Sequence, residues 1–434
     1  MRPLLEPGTS LKTLYSGRPV RIGALLGGGG QGQAYRADWN GSPYAVKWYA
    51  PAYRNYDCGL LDRLKTLIRK GSPSNGFLWP EDLVMNAGQT EFGYVMPLRE
   101  PRFADLAAHL RNEVNPSFAV LALAGLRFAG AFLSLHLDGL AYRDISHTNL
   151  FFDADNGDVC ICDNDNVDVD KRPGGILGSG PFMAPEIHRR EAFPSTLTDL
   201  YSLAVILFEM FVMHHPLYGR RLGRQEYQLS GGELKLLGTD PLFIFDPQNH
   251  GNAPDPTFDL NPLAFWPIYP AFFRDQFVQA FTKGLTSPED RVTDREWQRA
   301  LARLRDSIFP CPACGMEVFY DAELYQATRT LTPCWNCHAP LLPPARMRVN
   351  GHTVMLAAGA ELYPHHLEPQ CLYDYSRILA KVSGDGTEWT NQSAEPWTVR
   401  TVAGETVQVR PGDGIPLADC ARVQFGKSGA EVKH

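Results

Sequence analysis

The strongest constraint on this chain is an ordered series of polar residues spread over positions 27–163. Gly27, Gly29 and Gly32, in LLGGGGQGQAY, stand at G-x-G-x-x-G spacing, where the missing side chains let backbone N–H groups approach a polyphosphate. Dinucleotide-binding folds place that spacing between a strand and a helix. Here strand-like text with Tyr35 follows, and Lys47 arrives in AVKWY, 15 residues after Gly32. A strand there aims an ammonium at phosphate, although a single strand lysine is ordinarily just solvated. YRDISHTNLFF then sets Asp144 five residues before Asn149, and ICDNDN sets Asp163 fourteen residues after Asn149.

The surrounding text fits a small β lobe followed by a larger helical one. From Arg21 to Tyr49 it reads strand, glycine-rich turn, strand, turn at Asn40-Gly41, strand. Leu60, Leu61, Leu64, Leu67 and Ile68 recur at helical spacing until Gly71 and Pro73. Strand text returns at 83–96, and helical patterns dominate from Pro116 to about Arg305, broken by polar loops at 141–181 and a long Gly/Pro/Asn/Asp-rich stretch at 219–265.

The order and spacing of these pieces resemble the protein kinase superfamily over roughly residues 15–305. The resemblance implies that Lys47 holds the α- and β-phosphates of ATP, that Asp144 receives or orients the substrate hydroxyl proton, and that Asn149 and Asp163 hold Mg²⁺ or Mn²⁺. It also implies apolar adenine walls from Ala34, Ala45 and Phe151, with hinge contacts around Met96 to Leu98. GSGPFMAPE matches the end of an activation segment; Glu186 is expected to pair with Arg291, and Asp199 to brace the catalytic-loop backbone. Substrates are then proteins phosphorylated on Ser or Thr, including the chain itself, with a phosphatase or adaptor as a further signalling partner.

Several positions depart from that pattern. Tyr142 stands in place of the usual histidine, Ser146 in place of a lysine, and Asn164-Asp165 in place of Phe-Gly after the metal aspartate. The helix at 59–70 lacks the glutamate that normally holds the lysine. Asp62 is its only acid, which leaves three expectations: Asp62 holds Lys47, Asp163 holds it instead, or the active arrangement is rarely populated. Asp165 is a second acid beside the metal site, open to a metal role or a turn role. Within the activation segment Ser179 is the one hydroxyl residue and is expected to contact the catalytic loop. These departures keep two other readings in view: a pseudokinase scaffold that binds nucleotide and recruits partners, and a small-molecule kinase, against which the APE segment and Arg291 speak.

Cysteine usage separates the C-terminal region from the rest. Of nine cysteines, Cys311, Cys314, Cys334 and Cys337 form two C-x₂-C pairs 19 residues apart, a spacing for structural tetrahedral zinc, with iron able to use the same ligands. His338 is a weaker candidate for one position. The odd total and scatter of the other five fit a reducing cytoplasm. Past residue 345 come short alternating runs such as RILAKV, VQVRP and RVQFG, and the closing strands resemble a forkhead-associated β-sandwich, without a convincing phosphothreonine-reading pair. Kinases encoded near bacterial tellurite-resistance and stress genes combine such parts.

The expected fold is therefore α+β: a bilobal kinase domain over 1–305 (small lobe about 15–97, large lobe about 98–305), a zinc ribbon over 306–343, and a small all-β sandwich over 344–434. A net charge of -7 provides no overall footprint for nucleic acid. MRPLLEPGTS is read as an unprocessed start, and the apolar stretches 117–137 and 200–213 as buried helices rather than membrane spans, since Arg127 and Glu209 interrupt them.

Overall fold

The computed structural model describes residues 2–88, 90–224 and 231–434; part of the 219–265 stretch, residues 225–230, thus lies outside the described residues. The chain divides into two compact units that interleave along the sequence. One comprises Met1–Pro116, Arg127–Pro262 and Phe277–Arg295, the other Ser117–Leu126, Leu263–Gln276 and Glu296–His434.

The first unit begins with a closed antiparallel barrel of β1 (Ser10–Thr13), β2 (Pro19–Gly28), β3 (Gly32–Trp39), β4 (Ser42–Tyr49), β5 (Asp82–Met85) and β6 (Phe92–Pro97), in the order β1-β2-β3-β4-β6-β5. Asn40 and Gly41 both take positive φ (59° and 79°), the geometry that a two-residue hairpin between β3 and β4 requires. Val20, Ile22, Tyr35, Val46, Trp48 and Val95 fill the barrel. A helix, α1 (Pro51–Tyr56), leads into α2 (Leu60–Lys70), whose Leu60, Leu64 and Leu67 pack inward at helical spacing until Gly71 (φ 80°) ends it. Leu60 and Leu64 share an apolar cluster with Tyr49, Tyr94 and Met96 of the sheet, which fixes α2 beside β4 and β6.

Helices carry the remainder of this unit. The helix Thr196–Val212 starts at a Ser195 capping box and is buried along nearly its whole length. The long helix Phe118–Leu137, divided between the two units after Leu126, is apolar enough to cross a membrane by composition, yet most of it is buried, where an all-round apolar helix belongs.

In the second unit the hairpin Ile308–Pro310 and Glu317–Phe319 carries the first cysteine knuckle. Beyond it, a six-stranded and a four-stranded antiparallel sheet share one apolar core centred on Trp389, Trp397 and Phe425. Strand alternation explains the core: Met347 and Val349 are buried while Arg346 and Arg348, one residue off, face away.

Candidate active site

Lys47 sits at the inner end of β4, and the packing of that strand is tight enough to demand glycine on both sides. A Cβ on Gly32 would lie 2.1 Å from the Trp48 carbonyl oxygen, and one on Gly93 would lie 2.2 Å from the Lys47 carbonyl oxygen. A Cβ on Gly27, Gly29 or Gly30 would meet nothing within 4 Å, so these glycines of the loop are free of packing and open to a ligand.

The acid that holds Lys47 is Asp165. Its Oδ1 accepts from Lys47 Nζ at 3.0 Å and from the Tyr94 hydroxyl at 3.1 Å, and its Oδ2 accepts from the Tyr49 hydroxyl at 2.6 Å. Asp163 Oδ1 lies 3.3 Å from the same ammonium, but its side chain is 41% exposed against 1% for Asp165. The expectation for Asp62 is corrected: that side chain is 84% exposed and pairs with Lys65. Helical geometry is the reason, since Asp62 lies off the α2 face that carries Leu60, Leu64 and Leu67. The inward polar residue of α2 is Arg63, whose Nε donates to the Asp165 carbonyl oxygen at 3.0 Å and whose Nη2 donates to Asp57 at 2.6 Å. The helix thus contributes a cation to the backbone of the Asp163–Asp165 turn, and the turn contributes the acid to the lysine.

Electrostatics agree with a charged pair. Burial alone would depress Lys47 and raise Asp165, but their mutual attraction outweighs it: Asp165 stays below the usual carboxylate range and Lys47 above the usual lysine range. Burial, then Asp165, pushes the Tyr49 and Tyr94 hydroxyls well above their ordinary value, so both remain donors.

On the helical side, Asp144 and Asn149 are adjacent. Asn149 Nδ2 donates to the Asp144 carbonyl oxygen (2.8 Å) and to Oδ2 (3.1 Å), which turns the amide oxygen away from Asp144. Ser179 Oγ donates to Asp144 Oδ1 at 2.8 Å. Burial raises the Asp144 carboxyl above its ordinary value against the pull of these two donors. Cys162 N donates to the Asn149 carbonyl oxygen at 2.9 Å, which sets Asp163 beside Asn149. The Tyr142 hydroxyl donates to the Cys162 carbonyl oxygen, so the tyrosine that replaces histidine ties the same two loops. An amide oxygen and a half-exposed carboxylate are hard donors suited to Mg²⁺.

The bracing residues also meet. Asp199 accepts from the Arg143 and Tyr142 backbone N–H groups and from His136, which also reaches Asp294 at 2.7 Å. Arg291 forms a bidentate pair with Glu186, both bonds 2.8 Å. In the activation segment, Asp168 is ringed by Arg172 (3.2 Å), Arg143 (3.8 Å) and Arg63 (4.0 Å).

Of the expected adenine walls, Ala45, Met96 and Leu98 lie in one apolar cluster, and Ala34 is paired across the sheet with Lys47. Phe151 is half-buried, with the Arg99 guanidinium 4.3 Å over its ring. Gln31, not singled out in the sequence, links the parts: its Oε1 accepts from Lys47 Nζ at 2.6 Å and its Nε2 donates to Asn166 Oδ1 at 3.2 Å.

Two clusters in the other unit bear on metals. Cys311, Cys314, Cys334 and Cys337 bring their sulfurs within 4.8 Å of one another, with Sγ–Sγ distances of 3.7 Å (Cys311–Cys337) and 3.6 Å (Cys314–Cys334). A tetrahedron of ~2.3 Å metal–sulfur bonds has edges of about 3.8 Å, so the set fits zinc and is far too wide for disulfides. His338, with φ 58°, is the left-handed turn residue of the second knuckle and is not a member of the cluster. Asp306, His365 and His366 also converge. However, the Nδ1 atoms of His365 and His366 accept backbone N–H bonds from Tyr373 and Tyr363, both 3.0 Å, so their neutral rings carry the proton on Nε2. Metal-ligating histidines donate through the second nitrogen instead. This cluster is a hydrogen-bonded carboxylate, with His366 Nε2 donating to Asp306 at 2.9 Å.

Comparison with known proteins agrees with this geometry. Residues 102–237 match the family model described as protein kinase domain. A Caenorhabditis elegans protein carrying the name of ribosomal protein S6 kinase alpha-1 is 32% identical over 216 residues, 46% of this chain and 26% of its own length. Human ribosomal protein S6 kinase alpha-1 is 25% identical over 282 residues, 59% of this chain and 37% of its own. The serine/threonine-protein kinase SCH9 of Saccharomyces cerevisiae is 28% identical over 104 residues, 24% of this chain and 12% of its own. Residues 102–237 are thus similar to a protein kinase domain. The chain spans about a quarter to a third of the length of the two S6 kinase relatives.

Proposed function

We propose that the chain is an ATP-dependent protein kinase that transfers a γ-phosphoryl group to Ser or Thr hydroxyls, its own included. The observation that carries this reading is the buried Lys47–Asp165 pair, which supplies from the Asp163–Asp165 turn the acid that α2 lacks. The scaffold reading drew on that missing acid together with the altered loops, and the Lys47–Asp165 pair removes the first of these.

Asp144 is positioned to act as base. Its raised carboxyl binds a proton more readily than a solvated aspartate, while Ser179 and Asn149 fix both oxygens. In transfer, the substrate oxygen bonds to the γ-phosphorus, the bond to the bridging β–γ oxygen breaks, and the hydroxyl proton passes to Asp144. Lys47 would hold the α- and β-phosphates once Gln31 releases it. Magnesium bound through Asn149 and Asp163 would neutralise phosphate charge. Ala34, Ala45, Phe151 and the Met96–Leu98 backbone are the proposed adenine contacts. Asp168 already joins Arg172 of the activation segment to Arg143 of the catalytic loop, which supports a segment ordered without phosphorylation.

For the remaining parts, we propose a structural zinc on the four cysteines, a forkhead-associated-like sandwich beyond residue 344, and an intracellular setting with protein substrates and a signalling partner. The experiment is incubation of wild-type and Asp144→Asn protein with Mg²⁺, γ-labelled ATP and a generic basic protein. Label on Ser or Thr from the wild type alone is expected; equal labelling by the two removes Asp144 as base.

A further inference from the structure

A polar cavity of about 840 Å³ lies within the C-terminal unit and far in sequence from the kinase residues. Its walls are the helix Asp294–Asp306, the helix Ala322–Thr328 with Arg329 at its end, the strand Arg346–Val349 and the end of the last strand at Lys433. Six cations line it against two acids, in a chain whose overall charge is -7. Within the cavity Glu323 pairs with Arg303 at 2.5 Å, which offsets one of the six cations, and Asp306 faces His366 and His352. Arg299, Arg329, Arg348 and Lys433 form no ion pair among the described residues, and Arg346 lies directly across the sheet from Lys433. Like charges opposed in that register destabilise a sheet.

The cations are also held in place. Arg303 stacks on Phe272 at 3.7 Å, and Arg346 rests over Tyr320 and Tyr325 at 5.5 and 5.7 Å. Arg303 gives one N–H to Glu323, and the Arg346 guanidinium, lying on its rings, keeps N–H groups for other acceptors. Arg329 (φ 58°) is the left-handed cap that ends the helix Ala322–Thr328, which fixes its position at the cavity wall. Outside the cavity, Glu431 stands between Arg348 and Arg422 in the sheet, which interrupts any extended basic track.

We propose that this cavity binds a compact, multiply phosphorylated small molecule. The volume falls in the small-ligand range of ~300–1,000 Å³, and cations on every wall suit several phosphates better than one. A nucleoside polyphosphate and a phosphorylated polyol share this chemistry.

The test is calorimetric titration of the full chain with tripolyphosphate, for wild type, Lys47→Met, and the doubly reversed Arg299→Glu/Lys433→Glu. Both reversed residues are exposed, and unchanged melting temperature and kinase rate without ligand will verify folding. The expected result is salt-sensitive binding retained by Lys47→Met and weakened at least tenfold by the double variant. Inositol hexakisphosphate and guanosine triphosphate, titrated on Lys47→Met, then separate polyol from nucleotide. Binding lost in Lys47→Met but kept in the double variant assigns the anion to the kinase cleft and overturns the proposal. Absence of binding by all three probes overturns the ligand class.

Discussion

Replacing Asp165 by alanine removes the deeply buried acid that pairs with Lys47 and leaves the Tyr49 and Tyr94 hydroxyls without their acceptor. Breaking a buried ion pair from one side costs ~3–5 kcal/mol, because the remaining charge is left desolvated. At roughly 2–4 °C per kcal/mol for a domain of this size, the melting temperature should fall by about 6–20 °C. Asp163, at 3.3 Å but 41% exposed, recovers part of the attraction, which favours the lower half of that range. Asp62→Ala, at an exposed site, should stay within about 0.5 kcal/mol of wild type and keep its activity. The double replacement Lys47→Met/Asp165→Leu should regain much of the lost stability while remaining inactive, since a buried pair exchanged for apolar side chains is often neutral. Scanning calorimetry and initial rates of phosphoryl transfer read all three. An Asp165→Ala protein with unchanged melting temperature, or an Asp62→Ala protein that loses transfer, would refute the reasoning.

Other perturbations follow from the same contacts. His136 between Asp199 and Asp294 is pushed up to about 10: burial alone would lower it, and the two acids outweigh that. Its charged form therefore stabilises fully below the unfolded value of ~6.5 and is lost as pH rises through about 10, so the stability gap between wild type and His136→Asn should be largest at pH 6 and close towards pH 10 in denaturant titrations. Gly32→Ala should disrupt the β3–β4 packing and lower the melting temperature, whereas Gly29→Ala, with open space around it, should leave stability unchanged and alter only the KM for ATP. Arg291→Met should cost about 3–5 kcal/mol by stranding Glu186, measured by thermal unfolding. Metal analysis should find one zinc per chain on the cysteine cluster, lost in Cys334→Ser along with order in 311–337 detected by hydrogen exchange.

The sequence was most informative where spacing is dictated by backbone geometry. The Asn40-Gly41 turn, the leucine face of α2 and the two C-x₂-C knuckles can each be read from local pattern, and each exists in the structure. It was least informative about which side chains meet across the fold. Asp165 and Lys47 lie 118 residues apart, and nothing local tells Asp165 from Asp163 or Asp62 as the lysine's partner. A signal was present in the tyrosines: Tyr49 and Tyr94, on neighbouring strands, offer hydroxyls that a buried acid would need. Arg63 was hidden because helical periodicity was read for its apolar members only, although it occupies the same inward face. The basic cavity of the second unit draws on four separated segments, so composition, which sums to a net negative charge, concealed it.

The most direct measurement is phosphosite mapping of the dephosphorylated full chain after incubation with Mg·ATP, beside Asp144→Asn. The account predicts phosphoserine or phosphothreonine in the wild type and none in the variant. Magnesium-dependent nucleotide binding by the wild type with no phosphorylated residue on itself or on an added protein would contradict it.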